Sequence, residues 1–390
     1  MKQLKHLDHI EDLLLMKGSE GLNRALYICE RMISEPKSHK VSVKIDGAPS
    51  VIAGWNRYSE FFVATKSLFN KTPKVNYSIE DIQKNHGHAP GLENKLVYAL
   101  TYFKDIIPQG RIFQGDILFT AMDVHSFIDD EGCYVSIKPN TVEYRTRDRK
   151  IIDTVKYAKI GVVWHTEYIG QSFDDLEAMI SSDVSCIKSN ENVYIAKSDF
   201  IDKFGKSRFN EMEEAGLFAY VNAIEMKMQR LKENNNRIDE IFNEKSEISD
   251  LAMQFINARL REGKVFVNKE ESLLEFVNFT RYKYNKVKLI SKSAIDANEQ
   301  KYMNLYSFIM YSLGVRQCIM EVFELHYWLQ CLKQRLIEKL NLPTKDYKWK
   351  CFIDGSPSNH EGFVVTNNFS SVKFVDRMEF SRANFNNSRF

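Results

Sequence analysis

The spacing of apolar and polar residues changes character along the chain. From Leu7 to Ile33, apolar residues return at helical intervals: Ile10, Leu13 and Leu14, then Leu22, Leu26 and Cys29. This predicts one or two helices with a single apolar stripe, interrupted at Gly18-Ser19 and packed on the first sheet. After a loop over Ser34 to Ser38 the period drops to two. Val41, Val43 and Ile45 alternate with Ser42, Lys44 and Asp46, as in a half-buried strand. Gly47-Ala48-Pro49 supplies turn chemistry, Ser50 to Trp55 returns as a strand, and Glu60 to Ser67 adds another. Asn70 to Gly91 is polar and broken by Pro73, Gly87 and Pro90, which predicts a loop around a short helix near Ile79 to Lys84. An amphipathic helix follows over Leu92 to Ile106, and further strands over Gly110 to Phe119, Tyr134 to Asn140, Thr141 to Arg145 and Lys156 to Gly170.

Past about Ile169 the period becomes helical and stays so. No proline occurs between Pro139 and Pro343, and glycine is scarce after Gly205. Ala219 to Leu231, Ile238 to Arg261, Glu270 to Tyr284 and Tyr302 to Leu340 carry apolar residues three and four apart. Strands return at Cys351 to Gly355, Glu361 to Thr366 and Ser370 to Arg377. The expected class is therefore α+β, with a sheet-forming part at 1–170 and 345–390 and a mainly helical insertion at 171–344.

Composition narrows this picture only in places. The 390 residues carry a net charge of +2, so any nucleic-acid surface must be a local patch. The six cysteines are scattered without a Cys-x-x-Cys pair, which argues against a disulfide framework or zinc site and for a reducing compartment. The first residues lack a continuous apolar core, and no segment is long and apolar enough to span a bilayer. A cytoplasmic location is expected. His86 and His88, two apart in a polar loop, are read as surface histidines because no cysteines or carboxylates cluster with them.

Candidate chemistry concentrates at Lys44-Ile45-Asp46-Gly47. Side chains two apart on a strand share a face, so Lys44 and Asp46 emerge together, and a lysine so placed can act as a nucleophile once deprotonated. The four residues resemble the Lys-x-Asp-Gly motif of covalent nucleotidyltransferases, the superfamily of DNA ligases, RNA ligases and mRNA capping enzymes. Three downstream stretches resemble later motifs of that superfamily, in its order. Phe113-Gln114-Gly115-Asp116 is similar to motif III, with Asp where Glu is usual. Glu361-Gly362-Phe363-Val364-Val365 is similar to motif IV. Ser371-Val372-Lys373 is similar to motif V, with Ser371 in place of one of two lysines. Ala48-Pro49-Ser50 stands where the superfamily has an arginine or small polar residue.

The resemblance implies a nucleotidyltransferase (ATP-grasp-like) fold of antiparallel sheets and an ATP-dependent polynucleotide ligase, RNA ligase favoured over DNA ligase and of phage type. Its location would then be the host cytoplasm. In that chemistry Lys44 attacks the α-phosphate of ATP, expels pyrophosphate and carries a lysyl-AMP, which passes to a 5'-phosphate end before sealing. Lys44, Asp46 and Lys373 take catalytic roles. Lys44, Gly47, Lys66, Asp116, Trp164, Glu361 and Lys373 would contact ATP, and Asp116 and Glu361 would hold Mg²⁺ or Mn²⁺. A bound metal or a basic neighbour would lower the Lys44 pKa by like-charge repulsion. The chain ends too soon after motif V for a C-terminal OB domain, so the helical insertion is expected to hold the polynucleotide. Within it, Arg281, Lys283, Lys286 and Lys288 alternate with Tyr282 and Tyr284, a pattern suited to phosphates and stacked bases. The competing reading is a nucleotide-binding or structural protein that keeps the ligase-like fold without turnover.

Overall fold

A computed structural model describes residues 7–35, 39–179, 184–197, 209–233, 237–264, 266, 268–342, 347–366 and 371–380. Contacts divide the chain into two compact units. Met1–Leu7, Lys40–Asp202 and Pro343–Val372 form the first, and Asp8–His39, Lys203–Leu342 and Lys373–Phe390 the second.

The first unit holds the sheets. Its strands are β1 (Lys40–Lys44), β2 (Ser50–Trp55), β3 (Phe61–Ala64), β4 (Ile112–Thr120), β5 (Val124–Asp129), β6 (Gly132–Ile137), β7 (Glu143–Thr146), β8 (Ile160–Ile169), β9 (Glu177–Ala178), β10 (Val193–Ile195), β11 (Lys350–Ile353), β12 (Ser356–Ser358) and β13 (Gly362–Thr366), and β14 (Ser371–Val375) leads out of it. A six-stranded sheet has the order β10-β8-β4-β2-β3, with β9 on β8. A second sheet runs β12-β11-β7-β6-β5, and a third β1-β13-β14. Pairings in the two larger sheets are antiparallel apart from β8 with β10.

Alternation along β2 and β4 gives the six-stranded sheet two apolar faces. Val51, Ala53 and Phe113 lie on one, covered by Leu96, Ala99 and Phe103; Ile52, Phe62, Ile112 and Tyr168 lie on the other. Leu96 and Ala99 come from the helix Pro90–Tyr102, which meets the expected amphipathic helix of that region. Several elements were not anticipated, two of them among the larger ones of the first unit. A helix over Arg149–Tyr157 starts at Asp148, whose side chain accepts from the amides of Lys150 and Ile151. β5 ends the five-stranded sheet, and its exposed side chains have no apolar alternation to announce it.

The helices, numbered along the chain, are α1 (Asp12–Ser34), α2 (Ile79–His86), α3 (Pro90–Tyr102), α4 (Arg149–Tyr157), α5 (Glu211–Glu233), α6 (Ile238–Ile241), α7 (Glu247–Arg261), α8 (Lys269–Asn285), α9 (Lys292–Tyr311) and α10 (Val315–Asn341). In the second unit α1 packs against α5, α6, α7 and α10. It is bent at Gly18, whose φ of 54° and ψ of −129° interrupt the helix at the predicted place. The Ser19 amide and hydroxyl, freed from helical bonding, donate to the Asp239 carboxylate at 2.7 and 2.8 Å. The long helical stretch from Tyr302 to Leu340 is two helices, separated at Gly314, where φ is 76°.

The division expected from the sequence is shifted at both ends. The leading helix belongs with the helices rather than with the first sheet, because α1 buries its stripe against other helical stripes. Residues 373–390 are counted there too, whereas 171–202 stay with the sheets, where β10 pairs in parallel with β8. The chain is α+β with several antiparallel sheets, as expected in class.

Candidate functional site

Register creates the site in the first unit. β1 and β13 run antiparallel with Lys44 opposite Gly362, so Glu361, just before β13, falls beside the last residue of β1. The Lys44 ammonium donates to Glu361 Oε2 at 2.6 Å and to Asp46 Oδ1 at 2.7 Å. The three side chains keep 18, 10 and 24% exposure, enough for the cluster to be reached from outside. Asp46 is fixed from the five-stranded sheet: Asn140 Nδ2 donates to its Oδ2 at 2.9 Å, and its own amide donates to the Tyr144 hydroxyl at 2.8 Å.

The electrostatics follow from one cation between two acids. Burial alone would lower the Lys44 pKa, but the Glu361 and Asp46 carboxylates outweigh it and raise it above its ordinary value. The expected lowering is therefore not what the protein itself provides. Glu361 is raised to about 7, with burial the largest cause, Lys44 opposing it and Asp46 adding to the rise.

Gly47 joins this cluster to the six-stranded sheet. The Ala48 amide donates to the Ile117 carbonyl at 2.9 Å, and the Ile117 amide to the Pro49 carbonyl at 3.0 Å. A Cβ on Gly47 would lie 2.5 Å from the Ile117 carbonyl oxygen and 2.9 Å from Asp116 Cβ, so only glycine allows this approach. Asp116 faces His165, with 3.8 Å between Oδ2 and Nε2. Burial would raise Asp116, but His165 beside it and the Lys44 charge keep it below the ordinary value. His165 reaches this position through a bulge. Gln114 pairs with Thr166 and Gly115 with Trp164, which leaves His165 as the extra residue of β8.

The remaining sequence-predicted residues have surroundings of their own. Trp164 was expected to contact the nucleotide, yet it is 2% exposed and meets Phe103 and Phe113 edge-to-face at 5.0 and 6.3 Å. The bulge points it into the core, so it is not a stacking surface. Lys66 is exposed at the first residue of a short 3-10 turn after β3. Lys373 is counted with the second unit, where its amide donates to the Asp8 carbonyl and its carbonyl accepts from Ile10. Arg281, Lys286 and Lys288 are exposed at or just past the end of α8, and Lys283 is half-buried. Tyr284 is buried and donates to Glu247 at 2.6 Å, so of the two tyrosines only Tyr282 is open for stacking. Among the described residues, no group of three or more His, Cys, Asp or Glu side chains is arranged to hold a metal ion. Among them, too, no helix is long and apolar enough to cross a membrane.

Three participants escaped the sequence reading. Asn140, between β6 and β7, and Tyr144, on β7, fall in stretches read only for their strand pattern, and nothing local ties them to Asp46. Lys95 on α3 donates to the Ala48 carbonyl at 2.7 Å, with burial lowering its ammonium pKa. Its helical position offered no signal of that contact. What the cluster can do chemically is hold a lysine nitrogen at the end of a strand, with two proton-accepting carboxylates within hydrogen-bond distance.

No curated protein and no solved structure matches the chain. A family model described as "Family of unknown function (DUF6267)" matches residues 4–389, and the chain belongs to that family.

Proposed function

We propose that this protein is an ATP-dependent polynucleotide ligase-like nucleotidyltransferase, RNA ligase favoured over DNA ligase, with Lys44 as its nucleophile. The observation that carries the reading is the Lys44 nitrogen 2.6 Å from Glu361 and 2.7 Å from Asp46. Lys44 and Glu361 lie 317 positions apart and were selected by two separate motif resemblances. Gly47 and Asp116 support it, since the Gly47 turn approaches β4 at Asp116, 2.9 Å from a Cβ placed on Gly47. In the reaction the Lys44 nitrogen forms a bond to the α-phosphorus of ATP, the bond to the pyrophosphate oxygen breaks, and the lysine proton is lost. Asp46, 2.7 Å from the Lys44 nitrogen, suits the role of proton acceptor and leaves Glu361 for the metal. The AMP then passes to a 5'-phosphate end, which frees Lys44, and attack by a 3'-hydroxyl releases AMP as the strand is sealed.

Mg²⁺ commonly uses one or two carboxylates and completes its shell with water and phosphate oxygens. In this reading Asp116 and Glu361 would supply that partial set; among the described residues there is no cage built from protein alone. When bound there, Mg²⁺ or Mn²⁺ would offset the charge developing on the triphosphate.

Incubation with ATP and Mg²⁺, followed by denaturation and intact-mass analysis, is expected to show an added AMP that Lys44→Ala abolishes. GTP is expected to label less. An adduct that persists in Lys44→Ala would overturn the assignment. Glu361→Ala is expected to fold and to lose labelling roughly a hundredfold, the scale of a group acting in the transition state.

A second reading has an observation of its own. Both carboxylates hold Lys44 in an ion pair that raises its pKa, which suits a nucleotide-binding or structural protein without turnover. A rise in melting temperature with ATP, but no covalent adduct, would favour it.

A further inference from the structure

The second unit contains a cavity of about 410 Å³ between α7, α10 and segment 375–378. That volume is within the range of small-molecule sites. One wall is aromatic: Phe266 and Tyr327 stack at 5.1 Å and 21°, and Phe255 and Phe323 lie 5.6 Å apart. The remaining lining is unusually rich in cationic groups. Arg259, Lys264, Lys333 and Arg377 all contribute, against the single carboxylate of Asp376.

The floor is a buried ionic network. The Lys333 ammonium donates to Glu11 at 2.6 Å, and Arg377 donates to Glu11 at 3.2 Å and to Asp12 at 3.0 and 3.1 Å. His326 Nε2 lies 3.1 Å from Asp12. Burying four charges is expensive and well-packed apolar residues often serve stability as well, so such a network gives little reason for itself as a stabiliser. Its orientation supplies one. Glu11 and Asp12 are not among the lining residues, and neither are Glu262 and Glu275, which pair with Lys264 and Arg259. The cavity therefore meets nitrogen donors first. Lys333 has three donors and spends one on Glu11.

We infer that this cavity binds a small organic anion, a flat apolar body against the aromatic wall with its carboxylate, sulfonate or phosphate against the donors of Lys333, Arg377 and Arg259. The site is independent of the Lys44 cluster and needs no ATP.

The probe is 8-anilinonaphthalene-1-sulfonate, an aromatic anion, compared with the neutral N-phenyl-1-naphthylamine on the full-length protein below its melting temperature. The anion is expected to saturate at one equivalent and to bind at least about tenfold tighter than the neutral amine, the scale of one charge-assisted hydrogen bond. Gln330→Trp, which places an indole in the cavity, is expected to abolish the saturable signal. Lys264 is exposed at the rim, so Lys264→Glu keeps the fold and is expected to weaken the anion several-fold without changing the neutral amine. Equal affinity for the two probes, no saturation at one equivalent, or undiminished anion binding by Lys264→Glu would each overturn the inference. Should Gln330→Trp fail to melt cooperatively, the Lys264→Glu comparison decides alone.

Discussion

Glu361 keeps its proton longer than an ordinary carboxyl because it is buried beside Asp46, and this has a measurable sign. Between its ordinary 4.5 and about 7, the folded chain holds a proton that the unfolded chain has already released. Stability from this group therefore falls as pH rises through that window, by up to about 3 kcal/mol. Lys44 acts at the other end: its folded pKa is raised, so its contribution is complete below 10.5 and is lost above that. Urea unfolding of Glu361→Gln is expected to lack the decline between 4.5 and 7 that the native chain shows. Equal pH profiles for the two proteins would mean that Glu361 is not held as described. At this scale spacing brought the right pair together for a different local reason: β1 ends at Lys44, and Asp46 meets it from just past the strand. Trp164 and His165 were not legible, since a single-residue bulge reverses which of them faces the core, and a bulge leaves no periodic trace.

Glycine positions govern the elements in the same physical way, and α1 gives the sharpest test. Gly18 adopts φ 54° and ψ −129°, and a Cβ there would lie 2.4 Å from Asp239 Oδ1 and 2.9 Å from the Phe242 carbonyl oxygen. Gly18→Ala thus combines a backbone conformation that disfavours a side chain with a steric clash, and should cost about 1–3 kcal/mol. A lower urea midpoint with unchanged helical circular dichroism at low denaturant is the expected result. An unchanged midpoint would mean that α1 straightens without penalty. The interruption at Gly18-Ser19 was visible in the chain, because glycine breaks a helical stripe that otherwise continues. The division at Gly314 was missed, since apolar residues recur on both sides and periodicity alone reads straight across it. β5 was missed for the opposite reason: an exposed edge strand has no buried face to generate a pattern.

For the whole molecule, the two units differ in what can be removed. An amphipathic stripe says that something covers a helix but not what, so α1, next to β1 in sequence, was assigned to the sheet rather than to helices two hundred residues away. The basic tract tests polynucleotide binding without disturbing that packing. Neutralising Arg281, Lys283, Lys286 and Lys288 is expected to weaken binding of a single-stranded oligonucleotide and to reduce the slope of log affinity against log salt by at most about 3. Self-labelling at Lys44 should persist. Basic side chains at the end of α8 also suit its C-terminal dipole, and unchanged affinity at low and moderate salt would leave that as their role.

Deleting 203–342 is a different operation. α1 buries Leu13, Leu14, Leu15, Leu22, Leu26, Ile28, Met32 and Ile33 among helices that the deletion removes. Each such side chain is worth roughly 1.5–3 kcal/mol when buried. Together they rival the entire stability of about 5–15 kcal/mol of an ordinary domain. The remaining chain would then carry a long apolar helix with nothing to cover it, a strong aggregation liability. The deletion protein is therefore expected to be insoluble or to sediment as large aggregates, whatever the catalytic competence of the sheets. A soluble, monodisperse deletion protein with a cooperative melt would show instead that α1 finds cover without these helices.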